Sequence, residues 1–510
     1  MSGGIAGGPA ALGVGITYST AIEELLHASP ELFDLVEIEP QTLWVRMPAG
    51  PPHFRVRDDV LAHLSCLPGR KLIHSVGTPV GGAVAPDPEQ LRLLADMIQR
   101  FHSPWASDHL SYNQTPEFAT GFFLPPRQTA AGIAAVTTSI ATLQQGLGVP
   151  VAVETGVNYL RPRADELPDG AFVAEVVQRA DCGLLLDMHN IFTNALNGRQ
   201  PVDQFLDEIP LERVWEVHLA GGMELDGFWL DAHSGAIPDP LFAICEALVP
   251  RLPNLAAIVF EIFPSFVPRV GLELVRAQIE RLHQLWALRE SLPSPIEQPS
   301  SRSSSSRSSS PSPSPPVRLA YVESPDKLPP PAWERALGEL VIGRKPSDES
   351  AAELAADRGV RVIEGLIHEF RASMIVGVLR LTSRLLMLAL GTDAFRTILR
   401  SYWSAAPPQM YASLEAEAFA AHLQSLDLAV PHLAEVLCFE QAIAATLTDE
   451  QARIVTFQIE PLPLLRALAA GRLPEQPPQP GHYEIELTPD GPAASTGLDV
   501  QAVQAAFPYH

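Results

Sequence analysis

The stretch LLLDMHNIF, Leu184–Phe192, starts as an apolar run and ends on an acid, an imidazole and a carboxamide: Asp187, His189 and Asn190. Such groups at the end of a buried strand are costly unless they are paired or bind something. The pattern recurs along the chain. LVEIE ends in Glu37 and Glu39, KLIHSVG carries His74, WASDHLS carries Asp108 and His109, and PVAVETG carries Glu154. VWEVHLAGG supplies His218, AIVFEIF supplies Glu261, and WLDAHSG adds Asp231 and His233. One histidine at a strand end is ordinarily a hydrogen-bonded core residue, and carboxylates there often cap helices. Recurrence at nearly every run favours a shared cation instead. Imidazoles mixed with carboxylates, with no thiolate, fit Fe, Mn or Zn and disfavour Cu(I) and iron–sulfur clusters. One ion takes four to six donors; about nine are offered here, so two or three metals bridged by carboxylates are expected. Hydrolysis by a metal-bound water and oxidation through iron and O2 would both use such ligands.

The elements that must position these residues can be counted. Apolar runs begin at Leu12, Leu35, Lys71, Trp105, Pro150, Cys182, Val214 and Ala257, and helical patterns such as DPEQLRLLADMIQRF and TAAGIAAVTTSIATLQQGLG lie between them. The latter closes on Gly146 and Gly148, as a helix C-cap would. Eight β-runs alternating with helices over about 250 residues predict a (β/α)8 barrel, whose C-terminal strand ends converge on one face. The first strand is followed by no GxGxxG turn, which counts against a doubly wound open sheet.

The chain of 510 residues exceeds what one core sustains, so two domains are expected. Ser291–Pro316 is almost wholly Ser, Pro and Arg and reads as a disordered linker over 291–317, between a barrel at 1–290 and a second domain at 318–510. A formal charge of −24 argues against nucleic acid and anionic lipid as partners. The four cysteines form no CxxC pair, and the N-terminus lacks a basic n-region and long apolar h-region, so a cytoplasmic protein is expected. MIVGVLRLTSRLLMLALG is interrupted by Arg380 and Arg384 and is expected to be a core helix rather than a membrane span.

At these residues the chain resembles the multinuclear non-heme iron-dependent oxidases, whose best-known member acts in methanobactin biosynthesis. The matching pieces are LVEIEPQTLW, LIHSVG, SDHLS, VETGVNYL, CGLLLDMHNIF, VHLAGG and LDAHSG, in order from about residue 12 to 285. The resemblance implies an O2-dependent enzyme with two or three iron ions, mixed Fe(II)/Fe(III), that modifies a ribosomally made precursor peptide, commonly at cysteine. It implies metal ligands at His74, His109, Glu154, Asp187, His218, Asp231, His233 and Glu261, with His189 or Asn190 as a further candidate. Catalytic duty would fall on Asp187, His218 and Glu261, and Glu39, Asp108 and Asn158 would support the ligands. The chain departs from the family pattern at Thr155, where Asn is usual, at His189, and at Glu261-Ile262-Phe263, where Glu-Trp-Asp is usual. An alternative reading is a zinc or manganese hydrolase or isomerase on a xylose-isomerase-like barrel; a third is a non-catalytic metal-sequestering protein.

Beyond the linker, helical patterns give way to RIVTFQI and HYEIELTP, which alternate like strands, so a helical bundle with a small α+β portion is expected. PHLAEVLCFEQAI resembles the partner proteins often encoded beside these oxidases, which implies a partner domain fused in cis that recognises the peptide. With 15 Lys/Arg against 24 Asp/Glu from Arg318 onward, DNA binding is not expected of it.

Overall fold

A computed structural model describes residues 8–47, 51–289, 328–346 and 351–496. The expected linker, 291–317, lies outside the described residues. Each of the eight apolar runs is a strand: β1 (Gly13–Thr17), β2 (Leu35–Ile38), β3 (Arg70–Ser75), β4 (Ala106–His109), β5 (Val151–Glu154), β6 (Gly183–Asp187), β7 (Val214–Ala220) and β8 (Ala257–Glu261). They pair in parallel, in sequence order, and β1 closes on β8 with Gly13 beside Ala257. The chain is therefore a closed parallel (β/α)8 barrel followed by a mainly helical second region. The two helices quoted above form at Pro88–Phe101 and Ala130–Leu147, and the second ends on Gly148 in the left-handed conformation, at φ 70°.

The barrel interior explains why the chemistry sits where it does. Its lower layer is apolar and fully buried: Leu35, Leu72, Trp105, Ala152, Leu185 and Val259 pack together. Side chains along a strand alternate with period two. Two residues beyond each of these stand Glu37, His74, Ser107, Glu154, Asp187 and Glu261, on the same inward face and closer to the C-terminal ends. The apolar plug thus forms a floor, and the polar set stands on it with no bulk water below.

The second region packs helices Arg358–Val378, Arg380–Leu390, Thr392–Ala405, Ala412–Ser425 and Leu433–Asp449 around a core that includes Ile375, Phe419, Phe439 and Phe457. An antiparallel sheet of Arg453–Ile459, Pro480–Thr488 and Gly491–Thr496 completes it, with the strands RIVTFQI and HYEIELTP as expected. One expectation needs correcting. MIVGVLRLTSRLLMLALG is not one core helix: the chain turns by 107° at Leu379 into a second helix. Glu440 holds the turn, its two carboxylate oxygens accepting from the N–H groups of Leu381 (2.6 Å) and Thr382 (2.8 Å), which caps the new helix. Among the described residues no single helix is long and apolar enough to cross a membrane.

This second region is seated on the loops at the C-terminal face of the barrel. Arg55, beyond β2, donates to the Leu447 and Thr448 carbonyls, and Glu334 accepts from Ala83 N–H, beyond β3. Arg161 N–H, beyond β5, donates to Asp357, and the Arg358 guanidinium lies over Phe228, beyond β7.

Candidate metal centre

His74 and His109 bring their Nε2 atoms to the same oxygen of Glu154, at 3.2 and 3.1 Å. His109 Nδ1 lies 3.1 Å from the Ser75 carbonyl, which can only accept, so that nitrogen carries the proton and Nε2 presents a lone pair. A lone pair aimed at a carboxylate oxygen is repulsive unless a proton or a cation lies between them. Two donors about 2.1 Å from a common ion would be about 3.0–3.4 Å apart, so the observed spacing suits a shared metal.

The second cluster gathers Glu154, Asp187, His218 and Glu261, all buried, with ligand atoms within 4.8 Å of one another. His218 Nδ1 lies 3.3 Å from Glu261. Its other nitrogen, Nε2, lies 3.2 Å from Glu37 and 3.4 Å from Glu216. Those two acids are themselves held, Glu37 by the Thr17 hydroxyl (3.0 Å) and Glu216 by the Trp105 indole N–H (3.0 Å). They fix the proton of His218 on Nε2 and free Nδ1 for the pocket, the usual arrangement of a carboxylate behind a metal-bound histidine. The grouping of Glu37, Glu216 and His218 is therefore better read as support than as a further metal site. Glu216 was not anticipated from sequence, although it lies two residues before His218 on the same face of β7.

Asp231 and His233 close the third side. His233 Nε2 lies 2.9 Å from Asp231 and 3.6 Å from Glu261. His233 has a left-handed backbone, φ 43°, a conformation that non-glycine residues keep only when their surroundings impose it. The loop carrying it folds back on Gly221 and Gly222, Ser234 N–H donating to the Gly221 carbonyl at 2.8 Å. Gly222 has to be glycine: a Cβ there would fall 2.3 Å from the Trp229 indole nitrogen and 2.7 Å from His189 Nε2.

His189 and Asn190 divide their roles. β6 ends at Asp187, which caps a helix starting at Met188 by accepting from Asn190 N–H at 2.8 Å. His189 then spends Nδ1 on Asp231 (2.9 Å) and accepts the Trp229 indole N–H at Nε2 (3.4 Å). Asn190 donates to the Thr155 carbonyl, and its Oδ1 is buried with no hydrogen-bond partner. Thr155 also accepts Asp187 N–H at 3.0 Å, locking β5 to β6. Glu39 is half-buried at the mouth, where burial raises its carboxyl; the histidines His74 and His109 oppose this and Glu261 adds to it. Asp108 accepts from Thr78 (2.6 Å) and from His109 N–H (2.7 Å), fixing the loop behind His109. Asn158 lies in the β5 loop, its oxygen accepting from Leu160 N–H.

The electrostatics are strained throughout. Burial, then Asp231, Glu154 and Glu261, push the Asp187 carboxyl well above its ordinary range. Burial opposes a charge on His74 and His233, yet Glu37 and Glu154 push the first up to about 10, and Asp231 and Glu261 push the second up to about 10. The decisive test of fit is hydrogen bonding. Glu154 Oε2, Asp187 Oδ2, Asn190 Oδ1, His218 Nδ1, His233 Nε2 and Glu261 Oε2 are all buried and, among the described residues, all lack a hydrogen-bond partner. Buried polar atoms in folded proteins are almost always satisfied. Six orphans converging on one pocket, in a set richer in carboxylates than imidazoles, fit one or more transition-metal ions.

The chain is 31% identical over 232 residues to a UPF0276 protein of Streptomyces avermitilis, covering 44% of this chain and 47% of that protein. It is 29% identical over 244 residues to a UPF0276 protein of Chromobacterium violaceum, covering 48% of this chain and 84% of that one. It thus spans about half the length of the first of these relatives. Among solved structures, a D-allulose 3-epimerase from Methylomonas sp. is similar at 15% identity and a TM-score of 0.35, covering 55% of this chain and 99% of that one. Residues 12–268, which contain every strand of the barrel and every orphaned donor, match the family model of the RiPP precursor modification enzymes MbnB/TglH/ChrH, and the chain belongs to that family.

Proposed function

We propose that the protein is a cytoplasmic, O2-dependent multinuclear non-heme iron oxidase that modifies a ribosomally made precursor peptide at cysteine, with the second region recognising that peptide in cis. The observation that carries the reading is the set of six orphaned buried donors over an apolar floor. Two or three iron ions would be held by His74, His109, Glu154, Asp187, Asn190, His218, Asp231, His233 and Glu261. When bound, iron supplies activation of O2 and a Lewis-acidic hold on the substrate thiolate.

The chain's own part is positioning. Ser75 and Glu37 set the tautomers of His109 and His218, so each offers a lone pair to the pocket. His189 orients Asp231 from behind. Phe123 stacks on His109 with ring centroids 4.1 Å apart, and Phe263 lies 4.6 Å from His233, so apolar rings flank two sides of the mouth. Phe263 stands where the family usually has an acid, and 46% of it is exposed, which presents an apolar face to an incoming peptide. The second region, resting on loops beyond β2, β3, β5 and β7, borders the same face.

The test is metal analysis of the full-length protein with Mössbauer or EPR spectroscopy, followed by incubation with a Cys-containing precursor peptide and O2. Bound clustered iron and an O2-dependent mass change in the peptide are expected. Turnover with zinc or manganese and no demand for O2 would give the site to the hydrolase or isomerase reading instead.

A further inference from the structure

We infer that the seam between the barrel and the second region holds a docking site for a carboxylate-bearing peptide segment, separate from the metal centre. A cleft of about 510 Å³ opens there, within the range of ligand-binding pockets. The β5 loop lines it with Arg161, Arg163 and Asp165, Arg127 joins them, and the second region adds Trp333 and Glu353. The Trp333 ring is flanked by the Arg127 and Arg163 guanidinium groups, each 4.9 Å from its centroid.

The arginines are not equivalent. Arg127 is neutralised by Asp165 (2.5 Å) and Glu166 (2.7 Å). Arg161 and Arg163 take part in no ion pair among the described residues, and Arg163 Nε is buried with no hydrogen-bond partner. In a chain of net charge −24, neither guanidinium is spent on a salt bridge among the described residues, although Asp165 and Glu166 lie near enough to Arg163 to feel its charge. Pro162 between them fixes the backbone φ at that point of the loop.

A guanidinium fork matches a carboxylate or a phosphate. The rest of the lining chooses between them. Glu353, Asp165 and Asp357 share the cleft, so a dianionic phosphate meets like charge, whereas a peptide can set one carboxylate on Arg161 or Arg163 and turn N–H groups toward Glu353. The loop that carries both arginines begins at the candidate ligand Glu154, so a peptide anchored here lies on the rim of the mouth. The inference rests on the precursor-modifying reading for the source of the peptide, and on the cleft alone for its chemistry.

The test uses full-length protein and the fluorescence anisotropy of a labelled peptide of alternating Glu and Ser, with Gln-for-Glu and phosphoserine counterparts. The Glu peptide is expected to bind, and to weaken as salt rises. Arg161→Gln and Arg163→Gln should each cost at least about tenfold in affinity, while Arg179→Gln, on an exposed helix face, should leave it unchanged. Because Arg163 packs on Trp333, the exposed Arg161 is the cleaner variant. Equal binding of the Gln peptide, unchanged affinity in both variants, or preference for the phosphopeptide would overturn the assignment. The readout needs neither iron nor turnover, so its failure is distinct from failure of the oxidase reading.

Discussion

The barrel mouth and the core of the second region both bury charge, and they treat it in opposite ways. In the second region, Arg371 donates to Glu415 at 2.6 Å and to the carbonyls of Ala406 and Pro407, while the other oxygen of Glu415 accepts from Gln409 N–H. Glu440 is likewise spent on two N–H groups. At the mouth, three carboxylate oxygens, two imidazole nitrogens and an amide oxygen are left without partners. A closed network of this kind holds a fold together; an open one is paid for by what binds it. Burial of ionisable groups by itself therefore says little about function, and the unfilled valences say much.

The sharpest way to break this contrast is to remove one open donor. Asp187→Ala and His218→Ala are each expected to abolish turnover and lower bound iron while circular dichroism stays that of the folded barrel. Full activity with retained iron in both would defeat the ligand assignment. In the closed network the penalty should fall on stability instead. Arg371→Met leaves Glu415 buried and uncompensated and is expected to cost about 3–5 kcal/mol in chemical denaturation, with metal content untouched.

An intermediate case sharpens the comparison. His189 is closed on both nitrogens yet touches Asp231. His189→Leu should weaken metal retention by about 10–100-fold, the size of effect seen for residues that orient a ligand; a chelator competition that finds no change would remove it from that role. A pH-dependent effect concerns Glu334, buried against Ala83 N–H, where burial lifts its carboxyl to about 7 despite that hydrogen bond. A carboxyl raised in the folded state contributes stability below its ordinary range that is lost as pH rises toward 7. Glu334→Gln should therefore gain on the parent protein between pH 5 and 8, reaching on the order of 3 kcal/mol. A difference in melting temperature that stays constant with pH would contradict this.

Much of this was legible in the sequence. The eight strands follow from apolar runs, and the convergence of their polar ends follows from topology, with no side-chain detail needed. What was not legible depends on rotation and on distant partners. Treating Asp187, His189 and Asn190 as one strand end assumes alternation, but the helix begins at Met188 and turns successive residues by about 100°. Glu216 is not legible because a mid-strand acid gives no sign of what it faces until β2 and β7 are set opposite each other in the barrel. The bend at Leu379 is hidden for the same reason, since the residue that caps the helix after it, Glu440, lies some sixty residues further on.

Tyr159 gives the two halves of the chain a mechanical connection. Its hydroxyl accepts Asp231 N–H at 3.1 Å, while its carbonyl sits so close to Gly359, at the start of the Arg358–Val378 helix, that a Cβ there would be 2.1 Å away. The tyrosine therefore touches both the first turn of that helix and the backbone of an acid at the mouth. If that contact couples the centre to the helix, linkage is reciprocal, and the expected outcome is that hydrogen exchange along the helix slows when metal is supplied and quickens when it is stripped away.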